Sequence, residues 1–197
     1  MFKKPASFWL FIVSACVSAL MSVNVNAVAP VSTRLHSESM DLDGLTGKHK
    51  YQGNALLTQD NMRIAGDEMS INQDKEGKIT TAHFTGKPVR LEHTDPLTGA
   101  ISIATANDIH FDNVTGVISL RGDAHLSQKE AAIKRELNLH ANSIQLTQIN
   151  RQLQDLKALG SPSTFSQTRG EELPVNGQAN ALSYDGNKQY LILDGAA

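Results

Sequence analysis

The chain has 197 residues, 40% of them hydrophobic, 19% charged and 5% aromatic, with one cysteine and a formal net charge of −2. These proportions exclude a disulfide-stapled miniprotein, a polytopic membrane protein and a disordered tail. The near-neutral balance supplies no basic face for nucleic acid, and no nucleic-acid partner is expected.

At the N-terminus, Lys3 and Lys4 precede an uncharged stretch whose apolar part runs from Phe8 to Val23, and Val25-Asn26-Ala27 places small residues after it. This pattern predicts a secretory signal peptide over residues 1–27, cleaved after Ala27, and so a secreted protein. Two rivals compete. Val13-Ser14-Ala15-Cys16 resembles a lipoprotein cleavage box, but the apolar region continues past the cysteine to Leu20 and Met21. An uncleaved anchor would need about 20 apolar residues to span a bilayer, and Ser and Asn interrupt this shorter run. The remaining chain has no cysteine, so packing and backbone hydrogen bonds alone must hold it. A short helix is expected near Pro30 to Leu35.

From residue 35 onward the sequence repeats itself. Met40-Asp41-Leu42-Asp43-Gly44 is followed by Gly53-Asn54-Ala55-Leu56-Leu57, and Ile109-His110-Phe111-Asp112-Asn113 is followed by Gly122-Asp123-Ala124-His125-Leu126. A third copy begins at Leu182-Ser183-Tyr184-Asp185-Gly186 and reaches Gly195 just before the chain stops, so Asp43 to Gly53, Asp112 to Gly122 and Asp185 to Gly195 span the same interval. Between these copies, Met62, Ile64, Gly66, Met69 and Ile71 align with Leu137, Leu139, Ala141, Ile144 and Leu146 at a constant offset of 75. Gly86-Lys87-Pro88 likewise matches Gly160-Ser161-Pro162. The expected organisation is one domain over 35–197, built from units at about 35–99, 100–175 and a partial 176–197.

Within each unit apolar residues alternate with polar ones at the period of two that turns one face of a strand inward. Asp43-Gly44, Asp112-Asn113 and Asp185-Gly186 are turn dipeptides. The segments Lys129 to Leu139 and Ile149 to Leu159 contain helix formers, but their repeat partners lie in strand-patterned stretches, and strands are expected there too. The fold class is therefore all-β.

Chemistry-bearing motifs are sparse. His36, His49, His83, His93, His110, His125 and His140 show no zinc-type spacing and have no cysteine partner, so no metal is expected. The recurring Asp43, Asp112 and Asp185 read as turn caps, not as catalytic carboxylates. Neither a phosphate-binding loop nor a nucleophile elbow is present, so neither an enzymatic activity nor a cofactor is expected. A β-helical carbohydrate-active enzyme would want aromatic sugar platforms, and Tyr51, Phe84, Phe111, Phe165, Tyr184 and Tyr190 are the only rings after residue 27.

The order apolar-x-apolar-Asp-Gly, Gly-Asn-Ala-x-Leu-x-Gln, Met-x-Ile-x-Gly-Asp-x-Met-x-Ile and Gly-x-Pro resembles the OstA-type domain family of the lipopolysaccharide-transport bridge (the LptA family) over about Leu35 to Gly195. The resemblance implies a twisted, open β-jelly-roll of stacked antiparallel strands with an apolar groove for the acyl chains of lipid A. It implies head-to-tail self-association, and as partners an inner-membrane-anchored OstA-type adaptor and an outer-membrane lipopolysaccharide-assembly protein. A membrane-anchored adaptor of the same pathway is the alternative. By repeat register the lipid-facing residues would be Met40, Leu42, Ala55, Leu57, Met62, Ile64, Met69, Ile71, Ile101, Ile103, Ile109, Phe111, Ala124, Leu126, Leu139, Ile144 and Leu146.

Overall fold

A computed structural model describes residues 33–149, 152–188 and 190–195; the signal segment and the cleavage point after Ala27 lie outside them. Among the described residues eleven strands form a single antiparallel sheet. In chain order they are β1 (Thr33–His36), β2 (Ser39–Asp43), β3 (Lys48–Gln59), β4 (Met62–Gln73), β5 (Ile79–Thr94), β6 (Ile101–Asp112), β7 (Val117–Glu130), β8 (Arg135–Ile149), β9 (Gln152–Arg169), β10 (Val175–Asp185) and β11 (Tyr190–Asp194). Each strand from β3 onward pairs with its neighbours in sequence, while β1 and β2 both pair with β3 as two pieces of one edge. Strand therefore prevails where helix formers compete: Ala131–Ile133 is a single 3-10 turn between β7 and β8. The expected helix near Pro30 to Leu35 is corrected for its described part. Thr33–His36 is strand, because Leu35 pairs with Leu57 on the edge of β3.

Turn chemistry explains the hairpins. Asp112 Oδ1 accepts hydrogen bonds from the backbone N–H groups of Val114 and Thr115 at 2.8 and 3.0 Å, and Asp43 and Asp185 do the same for the residues two and three ahead. With the Thr46 hydroxyl donating to Asp43 as the largest contribution there, hydrogen bonding holds all three carboxyls below the ordinary carboxylate value. Gly116 closes its turn at a φ of 73°, and a Cβ there would collide with the carbonyl of Gln148.

The long strands are creased. Register shifts lie between Gln52 and Ala55, Ala65 and Glu68, Thr85 and Val89, Thr105 and Asp108, Arg121 and Ala124, His140 and Ser143, and Ala179 and Ala181. Because the bulges occur in adjacent strands, they form one crease that divides the sheet into two half-sheets. Inward residues of both halves belong to one hydrophobic core, and many of them are fully buried. A single layer cannot bury its own face, and no α-helix lies among the described residues to cover it. The half-sheets therefore close on each other as a jelly-roll.

Candidate functional site

Strand pairing lines up the inward residues into rungs that cross the sheet. One runs Met40, Tyr51, Met69, Phe84, Ile109, Leu120, Ile144, Ala158, Leu182 and Leu193. In the other half-sheet Leu35, Leu57, Ile64, Leu91, Ala104, Leu126, Leu139 and Phe165 make an equivalent rung. The lining is aliphatic throughout except for a few rings, among them Phe84 and Phe111 packed edge to face at 6.1 Å.

Burial varies along the rungs in a way that matters. Leu57, Ile64 and Ile109 are fully buried, whereas both ends of the first rung and the Leu35 end of the second open to solvent. Met40 is 60% and Leu42 55% exposed on the first edge, and Leu193 is 38% exposed on the last. Opposed residues of an antiparallel pair share a face, so Met40, opposite buried Tyr51, belongs to the inward surface although nothing covers it.

The residues expected to face inward thus divide. Ala55, Leu57, Met62, Ile64, Met69, Ile71, Ile109, Phe111, Ala124, Leu126, Leu139, Ile144 and Leu146 are buried in the core. Met40 and Leu42 carry the inward register but are not enclosed, since β2 has a partner on one side only. Ile101 and Ile103 are corrected. Ile101 is 48% exposed and Ile103 half-buried, while Ser102, Ala104 and Ala106 between and beyond them point into the core. The bulge between Thr105 and Asp108 inverts the alternation, so one face cannot hold both Ile101 and Ile109.

Leu137 and Leu182, which the repeat alignment contains but which are not among those expected to face lipid, also line the interior, as do Phe84, Leu91, Leu120 and Phe165. Ile118 and Leu120 carry the same period of two that marks Ile109 and Phe111, and that signal suffices to find them. Phe165, on the far side of Pro162, carries no such signal.

Polar chemistry appears at two places. Inside, His93, Ser102 and Gln128 form a buried rung segment in which the Gln128 side-chain amide donates to Ser102 Oγ at 3.2 Å. Burial pushes the His93 imidazole below its ordinary value, and Asp95 partly offsets this. Outside, β6 to β10 carry a concavity of about 840 Å³, lined by polar residues such as Thr105, His125, Asn138, His140, Thr164 and Gln178. Among the described residues, Asp123, His125 and His140 bring donor atoms close enough together to hold a metal ion. Linear spacing hides this grouping because strand pairing, not sequence distance, sets His125 opposite His140.

Comparison with known proteins adds three findings. A family model described as "LptA/(LptD N-terminal domain) LPS transport protein" matches residues 34–136 and 132–197. The lipopolysaccharide export system protein LptH of Pseudomonas aeruginosa is 26% identical over 83 residues, 42% of this chain and 47% of that protein, so the match spans about half the relative's length. The crystal structure of LptH, described as the LptA-homologous periplasmic component of the lipopolysaccharide transport device of Pseudomonas aeruginosa, matches in fold. Its TM-score is 0.54 at 18% identity, covering 75% of this chain and 94% of that one.

Proposed function

Since the chain belongs to the LptA/(LptD N-terminal domain) family of lipopolysaccharide transport proteins, we propose that it is a periplasmic bridge component that shields the acyl chains of lipid A between its two half-sheets. The observation that carries this reading is the apolar rung from Met40 to Leu193, which crosses the sheet to both edges, with apolar residues exposed at those edges at Leu35, Met40, Leu42 and Leu193. Hydrophobic transfer favours such a path. Each methylene is worth about 0.8 kcal/mol, so an acyl chain of about a dozen carbons resists crossing water by roughly 10 kcal/mol. Fully buried Leu57 and Ile64 become available to such a chain as the half-sheets part, and the exposed rung ends are where that parting starts.

The same edges support assembly. β1 and β2 at one end and β11 at the other each leave one side of the sheet unpaired among the described residues. Head-to-tail pairing of the last strand of one copy with the first of the next continues both the hydrogen bonding and the aliphatic rung. At the ends of such a stack the same surfaces would receive the inner-membrane-anchored adaptor and the outer-membrane assembly protein. The repeated unit gives 35–99 and 100–175 equivalent stretches of lining. The cleaved signal over residues 1–27 supplies the route to the periplasm.

The test is competition at equilibrium with purified protein and a fluorescent lipopolysaccharide. Native lipopolysaccharide and lipid A should displace the probe, whereas the deacylated glycan should not. Equal competition by the deacylated glycan would place recognition on the sugar and overturn the acyl-chain reading.

A further inference from the structure

From the outer face of the sheet, we infer that Asp123, His125 and His140 form a binding site for a divalent transition-metal ion of the zinc class. His125 on β7 and His140 on β8 are directly paired across the ladder, and their rings stack at a centroid distance of 4.0 Å with planes 18° apart. Asp123 reaches the same spot because of the bulge. Gly122 and Asp123 lie consecutively at φ values of 75° and 52°, and this re-aims the carboxylate onto the face that carries both imidazoles.

The donor atoms of the three side chains are gathered at metal-binding separations. Asp123 Oδ1 lies 2.9 Å from His140 Nε2 and 3.4 Å from His125 Nε2, and the potential ligand atoms of the three residues all lie within 4.8 Å of one another. A tetrahedral zinc ion with ligands at about 2.0–2.1 Å spaces its donors about 3.4 Å apart. The two carboxylate-to-imidazole separations bracket that spacing, and a small rotation of the stacked rings about their side-chain bonds would turn both nitrogens onto one ion. One carboxylate oxygen facing two imidazoles satisfies them less well than a shared cation would, since each neutral ring then gives its nitrogen lone pair to the ion.

The side chains are accessible, with His125 and Asp123 exposed and His140 half-buried. The two histidines also line the concavity over β6 to β10, which leaves room for water at the fourth position. A bound ion would tie β7 to β8 beside the crease.

The molecule holds its own comparison. His83 and His110 are likewise paired across β5 and β6 beside an aspartate, but their rings meet edge-on at 5.7 Å and 65°, and only His83 reaches Asp108. That trio does not converge, and it should not hold an ion.

The test is titration of the untagged, metal-free protein with Zn²⁺ by calorimetry, repeated with Co²⁺ for the visible bands of a tetrahedral centre. Wild-type protein and the His110→Ala variant should each bind one equivalent. His140→Ala should lose it, and so should Asp123→Asn, which keeps the shape and tolerates the positive φ. The site is overturned if wild type binds no ion, if His140→Ala and Asp123→Asn bind as wild type does, or if His110→Ala loses the ion as well.

Discussion

His93 is a titratable side chain set inside the apolar interior. It sits 6% exposed in the inward rung between Met62 and Ser102, and burial holds its imidazole below the ordinary value of 6.5. The folded chain then binds fewer protons than the unfolded chain around that pH. Stability is therefore complete above about 6.5 and declines as pH falls through it. Thermal melts at about pH 7.5 and about pH 5.5 should show a drop in Tm for the wild type that is smaller for His93→Gln. An unchanged drop would assign the acid sensitivity to other groups. At this scale the turn aspartates are legible in the sequence, because Asp next to Gly or Asn has a local partner in its own backbone. Asp95-Pro96-Leu97-Thr98-Gly99 closes a turn in the same way, with Asp95 Oδ1 accepting from Leu97 and Thr98, and its likeness to Asp43-Gly44-Leu45-Thr46-Gly47 carries the same signal. The metal grouping is not legible there, since nothing in the linear spacing announces that positions 125 and 140 are opposed.

The strand is the scale at which periodicity both succeeds and fails. Where a strand segment lies to one side of the crease, alternation locates the inward residues: Met62 with Ile64, Met69 with Ile71, and Ile144 with Leu146 are all buried. Extending one alternation through a bulge misassigns Ile101 and Ile103. Local hydrophobicity points to the two isoleucines, but the pairing of Ser102 with His93 and Gln128 decides the register instead, and small Ala104 and Ala106 fill the interior opposite Leu91 and Val89. The consequence can be measured. Ile101→Glu should change stability by no more than about 0.5 kcal/mol, while Ala104→Glu, which buries an unpaired charge, should cost several kcal/mol or prevent folding. Denaturant melts giving the reverse order would restore the isoleucines to the interior.

Over the whole molecule, an aqueous exterior and an aliphatic interior are built by the same strands, and the interior lining ends at two sheet edges instead of closing into a barrel. A barrel would have removed the edges. The open form keeps them, and with them the exposed Met40, Leu42 and Leu193. The all-β class and the repeat are plain from the Asp-to-Gly intervals. The crease is written in the same repeats, since Gly53-Asn54, Gly122-Asp123 and Gly86-Lys87-Pro88 fall at register shifts, but only strand pairing shows that these Gly-containing pieces line up as one fold line. The central claim, that lipid A acyl chains occupy the inward rungs, is tested most directly by photo-crosslinking in cells. A photo-reactive residue is placed in turn at inward Met40, Leu57 and Ile71 and at outward Leu56 and Arg63. The account predicts lipopolysaccharide adducts from the inward positions, with Met40 also capturing a second copy of the chain, and none from Leu56 or Arg63. Adducts confined to the outward positions would contradict it.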